Sequence, residues 1–259
     1  MDNSHLVVGG GTGIGRALVK KILQVTSDRV IAIDRIFEEF DSHETDRIDV
    51  YEFDIDQEVN WSDLLSRHAK LASLSFLVPS CRSRDTAANE LGFTSNFVKN
   101  VGNINFSLLQ ILQAARPYFS EKSYVVIVSS VLGSSVAANL SLDYHAAKSI
   151  LESIAKYMAV KLAPTVCVNV LAPGLIARNE SSALITDQVT SLMVRLAIPL
   201  QRPYSQEEIA AAMWVLASGQ LGCITGQVIH MDGGAPLQES LYLLSRATSV
   251  IDDIRVKNI

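Results

Sequence analysis

The sequence predicts a single α/β domain built on a doubly wound parallel sheet with helices on both faces. Three observations carry that expectation. Short apolar runs recur at residues 6–8, 30–33, 50–53, 74–78, 124–128 and 166–171, the near-continuous pattern of strands buried on both sides. Longer segments between them repeat at helical spacing, such as Ile14, Leu18, Ile22 and Val25, or Ile150, Ile154, Met158 and Leu162. Pro79, Pro117, Pro164 and Pro173 lie near the ends of these runs, where a residue without an N–H donor interrupts least.

Bulk properties agree and narrow the partners. Of 259 residues, 48% are hydrophobic and 19% charged, enough apolar material for a core and no sign of disorder. The length suits one large unit over residues 1–259, with no internal repeat or linker. A formal charge of -5 offers no basic field for nucleic acid. Cys81, Cys167 and Cys223 are an odd number at wide spacings, which fits reduced thiols. The first residues show no secretory leader, and no run approaches the roughly 18 apolar residues of a membrane span. A cytoplasmic protein without membrane contact is expected. No histidine and carboxylate cluster has metal-ligand spacing, so no catalytic metal is expected.

The first apolar run leads into Gly9-Gly10-Gly11-Thr12-Gly13-Ile14-Gly15, which opens an amphipathic helix. Unpaired N–H groups at a helix start, approachable where Cβ atoms are missing, make an anion site suited to a pyrophosphate. The spacing fits G-x-x-x-G-x-G through Gly9, Gly13 and Gly15, not G-x-G-x-x-G. Asp34 ends the second run, where a carboxylate can accept from an adenosine ribose and would repel a 2′-phosphate. Arg35 adjoins it, but Thr12 adds no positive charge inside the turn, so NAD(H) is expected over NADP(H).

Tyr144 and Lys148 stand at i and i+4 at the start of a helix and project from one face. A free phenol near pKa 10 is too weak an acid for efficient transfer at neutrality, and a neighbouring ammonium favours the phenolate. Ser129 and Ser130 end the run at 124–128, on the edge where open α/β sheets bind ligands. His145 faces away from Tyr144, and His230 falls in an expected strand.

These features together resemble the classical short-chain dehydrogenase/reductase family over about residues 5–234. The likeness includes the glycine turn, Asp34, Asp54 within Phe53-Asp54-Ile55, Ser130, the Tyr144/Lys148 pair, Pro173-Gly174, Thr225-Gly226 and Asp232-Gly233-Gly234. The resemblance implies a Rossmann-like fold, Tyr144 as general acid/base, Lys148 binding nicotinamide ribose and tuning Tyr144, and Ser130 holding the substrate carbonyl. It further implies cofactor contacts from Gly9, Gly13, Ile14, Gly15, Asp34, Asp54, Ile55, Pro173 and Gly174, and a homodimer or homotetramer.

Four departures stand out. Pro79-Ser80-Cys81-Arg82 replaces the family's Asn-Asn-Ala-Gly beside the cofactor. The relay asparagine could be Asn105 or Asn103, and Asn105 is preferred because Ile104 and Phe106 suit a buried helix. Arg178 occupies the position of a family threonine, which suggests an anionic substrate group. Residues 175–200 are expected to form a lid with an apolar face of Leu184, Leu192, Met193 and Leu196. Finally, residues 235–259 extend the usual ending as an amphipathic helix carrying Leu244, Ala247, Ile251 and Ile254. The leading expectation is an alcohol dehydrogenase or ketone reductase for a small or medium metabolite. A lyase, epimerase or dehalogenase on the same scaffold and a nonenzymatic nucleotide-binding protein are the alternatives.

Overall fold

The computed structural model describes residues 3–40, 45–78, 91–92, 94–177 and 188–257. Its strands are β1 (Ser4–Val8), β2 (Arg29–Asp34), β3 (Ile48–Glu52), β4 (Leu71–Phe76), β5 (Phe119–Val128), β6 (Val166–Pro173) and β7 (Val228–Met231). All pair in parallel in one sheet of order β3-β2-β1-β4-β5-β6-β7. The helices are α1 (Gly13–Val25), α2 (Trp61–Ser66), α3 (Phe97–Ala115), α4 (Leu142–Leu162), α5 (Gln188–Ala197), α6 (Gln206–Ala217) and α7 (Ser240–Lys257).

Strand alternation divides the core into two layers. Leu6, Val8, Ile31 and Ile33 pack with Leu74, Ile104, Leu108 and Leu151 on the side of α2, α3 and α4. Val7, Val30 and Ala32 face the other way, onto Leu18 and Ile22 of α1 and Ile209 and Met213 of α6. Because β1 pairs with β2 on one side and β4 on the other, the chain reverses direction across the sheet there. Such a switch point opens a crevice at the carboxyl ends of the strands.

Several boundaries differ from the sequence expectation. The run at 50–53 overlaps β3, which begins earlier at Ile48, ends at Glu52 and lies at the sheet edge with Val50 exposed. In α4 the buried face is Ala147, Lys148, Leu151, Glu152, Ala155, Ala159 and Leu162; of the expected stripe Leu162 is buried and Ile154 and Met158 pack partly against the core, while Ile150 is exposed. Phe106 is also exposed, although Ile104 and Asn105 are buried. In α5 the buried residue is Val194, not Met193, which is exposed, while Leu192 and Leu196 are half-buried. In α7 the helix forms, with Leu244 exposed and Ala247 half-buried, while the side chains of Ile251 and Ile254 lie outside the described residues. Pro79, Ser80, Cys81, Arg82, Arg178 and Leu184 lie outside the described residues. Among the described residues, no helix is long and apolar enough to cross a membrane.

Candidate active site

At the carboxyl ends of the strands lies a cavity of about 570 Å³. At one end it is lined by Asp34, Arg35, Ile36, Phe53 and Ile55. The glycine turn lies in the middle, and Ser129, Ser130, Tyr144, Lys148, Pro173 and Gly174 form the other end.

The turn is strapped to β2 from outside. Gly9 and Gly10 N–H groups donate to the Ile33 carbonyl at 2.7 and 3.1 Å. Gly11 N–H donates to one oxygen of Asp34 at 3.0 Å, and Arg35 N–H to the other at 2.8 Å. A Cβ on Gly15 would run into the Gly9 carbonyl, so only glycine lets α1 start so close to β1. Gly13 has φ +53, and a Cβ there would touch the Gln206 amide at ordinary van der Waals distance. The α1 N-cap, Thr12, makes no side-chain capping bond, and the first turn carries no acidic residue. That helix end therefore keeps donors and a positive dipole end for an anion.

The second wall is built by β5 and α4. Burial seals Lys148 between them, where its Nζ donates to the Val128 carbonyl at 3.1 Å and stands 5.9 Å from the centre of the Tyr144 ring. That burial lowers the ammonium from its ordinary 10.5 to about 8. Ser129 Oγ lies 2.9 Å from Glu152 Oε1 and 3.2 Å from the Lys148 carbonyl oxygen, and its single hydrogen serves one of these two acceptors at a time. Ser130 Oγ accepts from Leu132 N–H at 3.2 Å, so its own hydrogen can point elsewhere.

The first turn of α4 is anchored next to Tyr144. Buried Asp143 accepts from Thr94 N–H at 3.1 Å, Thr94 Oγ1 at 2.6 Å and Asn100 Nδ2 at 2.8 Å. Burial alone would raise this carboxyl, but the donations outweigh it and hold it below its usual value. His145 is turned aside, with Nδ1 against Ser141 O at 2.8 Å and Nε2 accepting from Ala137 N–H at 3.0 Å. His230 lies in β7.

Ser130, Tyr144, Lys148, Gly9, Gly13, Ile14, Gly15, Asp34, Ile55, Pro173 and Gly174 thus meet in one cavity. Asp54 does not line it; it lies 3.9 Å from Arg35 Nη1 and accepts from Asp56 N–H. Asn105 is buried in α3 outside the lining, with Nδ2 donating to Val101 O at 2.7 Å and no partner on Oδ1 among the described residues. Asn103 instead reaches Asp56 at 3.2 Å. Sequence reasoning missed Gln206, which lines the cavity opposite the turn, and Glu152 behind Ser129. The Ser205-x-x-Glu208 capping box places Gln206 in a helix's first turn and was readable in the sequence. Nothing in the spacing marks Glu152.

A dinucleotide fits this lining: a carboxylate at one end, an open glycine cradle in the middle and a hydroxyl–ammonium set at the other. A family described as enoyl-(acyl carrier protein) reductase matches residues 11–236. The chain belongs to the short-chain dehydrogenase/reductase family.

Like other members of this family of NAD(P)-dependent oxidoreductases, it has close likenesses among reductases and dehydrogenases. It is 31% identical over 134 residues to tropinone reductase-like 3 of Erythroxylum coca, covering 52% of this chain and 51% of that one. The chain therefore spans about half the length of that relative. It is 27% identical over 247 residues to the 3-oxoacyl-(acyl-carrier-protein) reductase FabG of Buchnera aphidicola, covering 88% and 95%. A gluconate 5-dehydrogenase from Burkholderia cenocepacia, solved with NADP and tartrate, superposes with TM-score 0.75 at 20% identity, covering 92% and 97%. That likeness concerns the fold.

Proposed function

We propose that the chain is one catalytic domain that interconverts an alcohol and a ketone on a small or medium metabolite, with Tyr144 as general acid/base. The observation that carries this reading is the buried Lys148 ammonium beside Tyr144, in the same cavity as Ser130 and the glycine turn. A bound nicotinamide dinucleotide supplies the hydride, or accepts it in the reverse direction. Gly9, Gly13, Ile14 and Gly15 hold its pyrophosphate, Asp34 and Ile55 its adenosine end, and Lys148, Pro173 and Gly174 its nicotinamide end.

In the reductive direction Ser130 donates to the substrate carbonyl oxygen and orients it. As hydride reaches the carbon, the Tyr144 hydroxyl gives its proton to that oxygen, and the product is the alcohol. Lys148 supplies positive charge beside the phenolate left behind. In the oxidative direction the same groups run in reverse, and Tyr144 takes the hydroxyl proton. The Buchnera relative, a 3-oxoacyl-(acyl-carrier-protein) reductase, supports a ketone as substrate.

NAD(H) is the preferred cofactor on charge grounds, since the Asp34 carboxylate lies in the lining where a 2′-phosphate would sit. The NADP complex of the Burkholderia neighbour favours the other cofactor and makes the choice worth measuring. A homodimer or homotetramer is consistent with exposed Val98 and Phe106 on α3 and exposed Tyr157 and Val160 on α4.

The test is Tyr144→Phe, which removes only a hydroxyl. Turnover should fall by about 10³-fold or more, in line with the loss of a positioned acid/base. Cofactor affinity, read by fluorescence titration, should stay within about twofold. Full activity in this variant rejects the assignment.

A further inference from the structure

Gln206 faces the glycine turn from the opposite wall of the cavity. It begins α6, and its terminal amide is the nearest group to where a Cβ on Gly13 would sit, in van der Waals contact with that position: Nε2 at 3.7 Å, Cδ and Oε1 at 3.9 Å. The end of the side chain, not its stem, therefore stands over the cradle. The missing Cβ of Gly13 leaves the backbone N–H accessible beneath the amide.

The residues on either side of Gln206 fix the backbone there. Ser205 and Glu208 cap α6 reciprocally, with Glu208 N–H donating to Ser205 Oγ at 3.2 Å and Ser205 N–H to Glu208 Oε2 at 3.0 Å. Arg202 grips Glu208 through two bonds of 2.7 and 2.6 Å. Tyr204 is tied to the chain just beyond Pro173-Gly174, donating its N–H to Leu175 O at 2.9 Å and accepting from Ala177 N–H at 2.8 Å. The amide is thus presented from a fixed frame.

The turn itself brings little positive charge to an anion. Arg16, on α1, is directed to Glu38 at 3.5 Å, to the Glu39 carbonyl and to the Phe40 ring. An anion in the cradle would be met by backbone N–H groups on one side only, and a second neutral donor from across the cavity completes its coordination.

We propose that Gln206 is a cofactor-binding residue whose side-chain amide donates to the pyrophosphate from the wall opposite the glycine turn. The proposal rests on the dinucleotide reading above. It assigns Gln206 to the part shared by NAD(H) and NADP(H), so it sets affinity without setting the choice between them.

The experiment compares wild type with Gln206→Ala and Gln206→Pro, titrating NADH and NADPH by fluorescence and ADP-ribose and adenosine by competition. Proline is tolerated at the first position of a helix, so the second variant keeps the frame while removing the amide. Both should weaken NADH, NADPH and ADP-ribose by about fivefold, the scale of one neutral hydrogen bond. Adenosine, which lacks the pyrophosphate, should bind unchanged. Gln206→Glu should weaken the three pyrophosphate ligands further, by about 30-fold, because it places like charge beside them. ADP-ribose affinity within twofold of wild type in both neutral variants overturns the proposal, as does an equal loss for adenosine. Wild type that binds no dinucleotide overturns the cofactor reading itself, and the proposal with it.

Discussion

The two ends of the sheet each bury a titratable side chain, and they treat it in opposite ways. At the amino end, His5 is sealed in the core with Nδ1 2.8 Å from Ser73 Oγ and Nε2 3.1 Å from Asp28 Oδ2. The arrangement has the residue types of a hydrolytic triad, but it does not line the cavity described above and both ring nitrogens are satisfied. At the carboxyl end, Lys148 is equally buried, yet its Nζ makes one hydrogen bond among the described residues and lines an open crevice. The first cluster spends its polar groups on one another; the second leaves a cation poised for something absent from the fold. Burial alone does not mark function, whereas burial with spare donors facing a cavity does.

The largest effect should come from Lys148→Met. Turnover should fall by about 10³-fold with weakened cofactor binding, because the charge beside Tyr144 and the ribose donor are both lost. The apo protein should nevertheless become more stable. Lowering a buried ammonium from 10.5 to about 8 corresponds to about 3 kcal/mol of destabilisation below pH 8. Losing the donor to Val128 O offsets part of that, leaving a gain of about 2 kcal/mol in urea unfolding at pH 7. The unfolded chain binds the extra proton between pH 8 and 10.5, so wild-type stability should rise with pH across that window. Lys148→Met should lack the rise, and an unstabilised variant would contradict the reading of a functionally imposed cost.

The opposite end should respond in reverse. His5→Leu leaves Asp28 and Ser73 without a ring partner, so stability should drop by about 2 kcal/mol while turnover stays within about twofold. In wild type, burial pushes the imidazole below its ordinary 6.5 against the hydrogen bond and charge of Asp28. The unfolded chain therefore binds more protons below pH 6.5, and stability should fall as pH drops through that region; His5→Leu should flatten this dependence. A turnover loss matching that of Lys148→Met would erase the contrast between the two ends.

A smaller effect is expected at Asp34, which combines both behaviours: it faces the cavity, yet both carboxylate oxygens already accept backbone N–H groups. Asp34→Ala should weaken NADH and shift the NADPH/NADH affinity ratio by about tenfold toward NADPH, by removing charge repulsion. An unchanged ratio would leave Asp34 only its role in tying down the turn.

Much of the architecture was legible because buried parallel strands read as plain apolar runs: β6 begins where its run does, and β1 and β2 contain theirs. The edge strand β3 was misjudged in extent because only alternate residues are covered, so Tyr51 and Phe53 drew the reading toward its end. Helix α4 was harder. Its buried face is filled by Ala147, Ala155 and Ala159 together with Lys148 and Glu152, so hydrophobic periodicity pointed to the exposed Ile150 instead. The chemistry that distinguishes the site thus disguised the packing of the helix carrying it. The glycine turn, Asp34, Ser130, Tyr144 and Lys148 were readable because their spacing follows local geometry. Gln206 was not, since its proximity to Gly13 arises from α6 packing against α1 across a long stretch of chain.

The most direct measurement is a crystal structure of the protein soaked with NADH. The predicted result is a dinucleotide along the cavity, its adenosine ribose at Asp34, its pyrophosphate over Gly13 and its nicotinamide ring beside Tyr144 and Lys148. A dinucleotide bound with its nicotinamide away from Tyr144 would contradict hydride transfer coupled to proton transfer at this site.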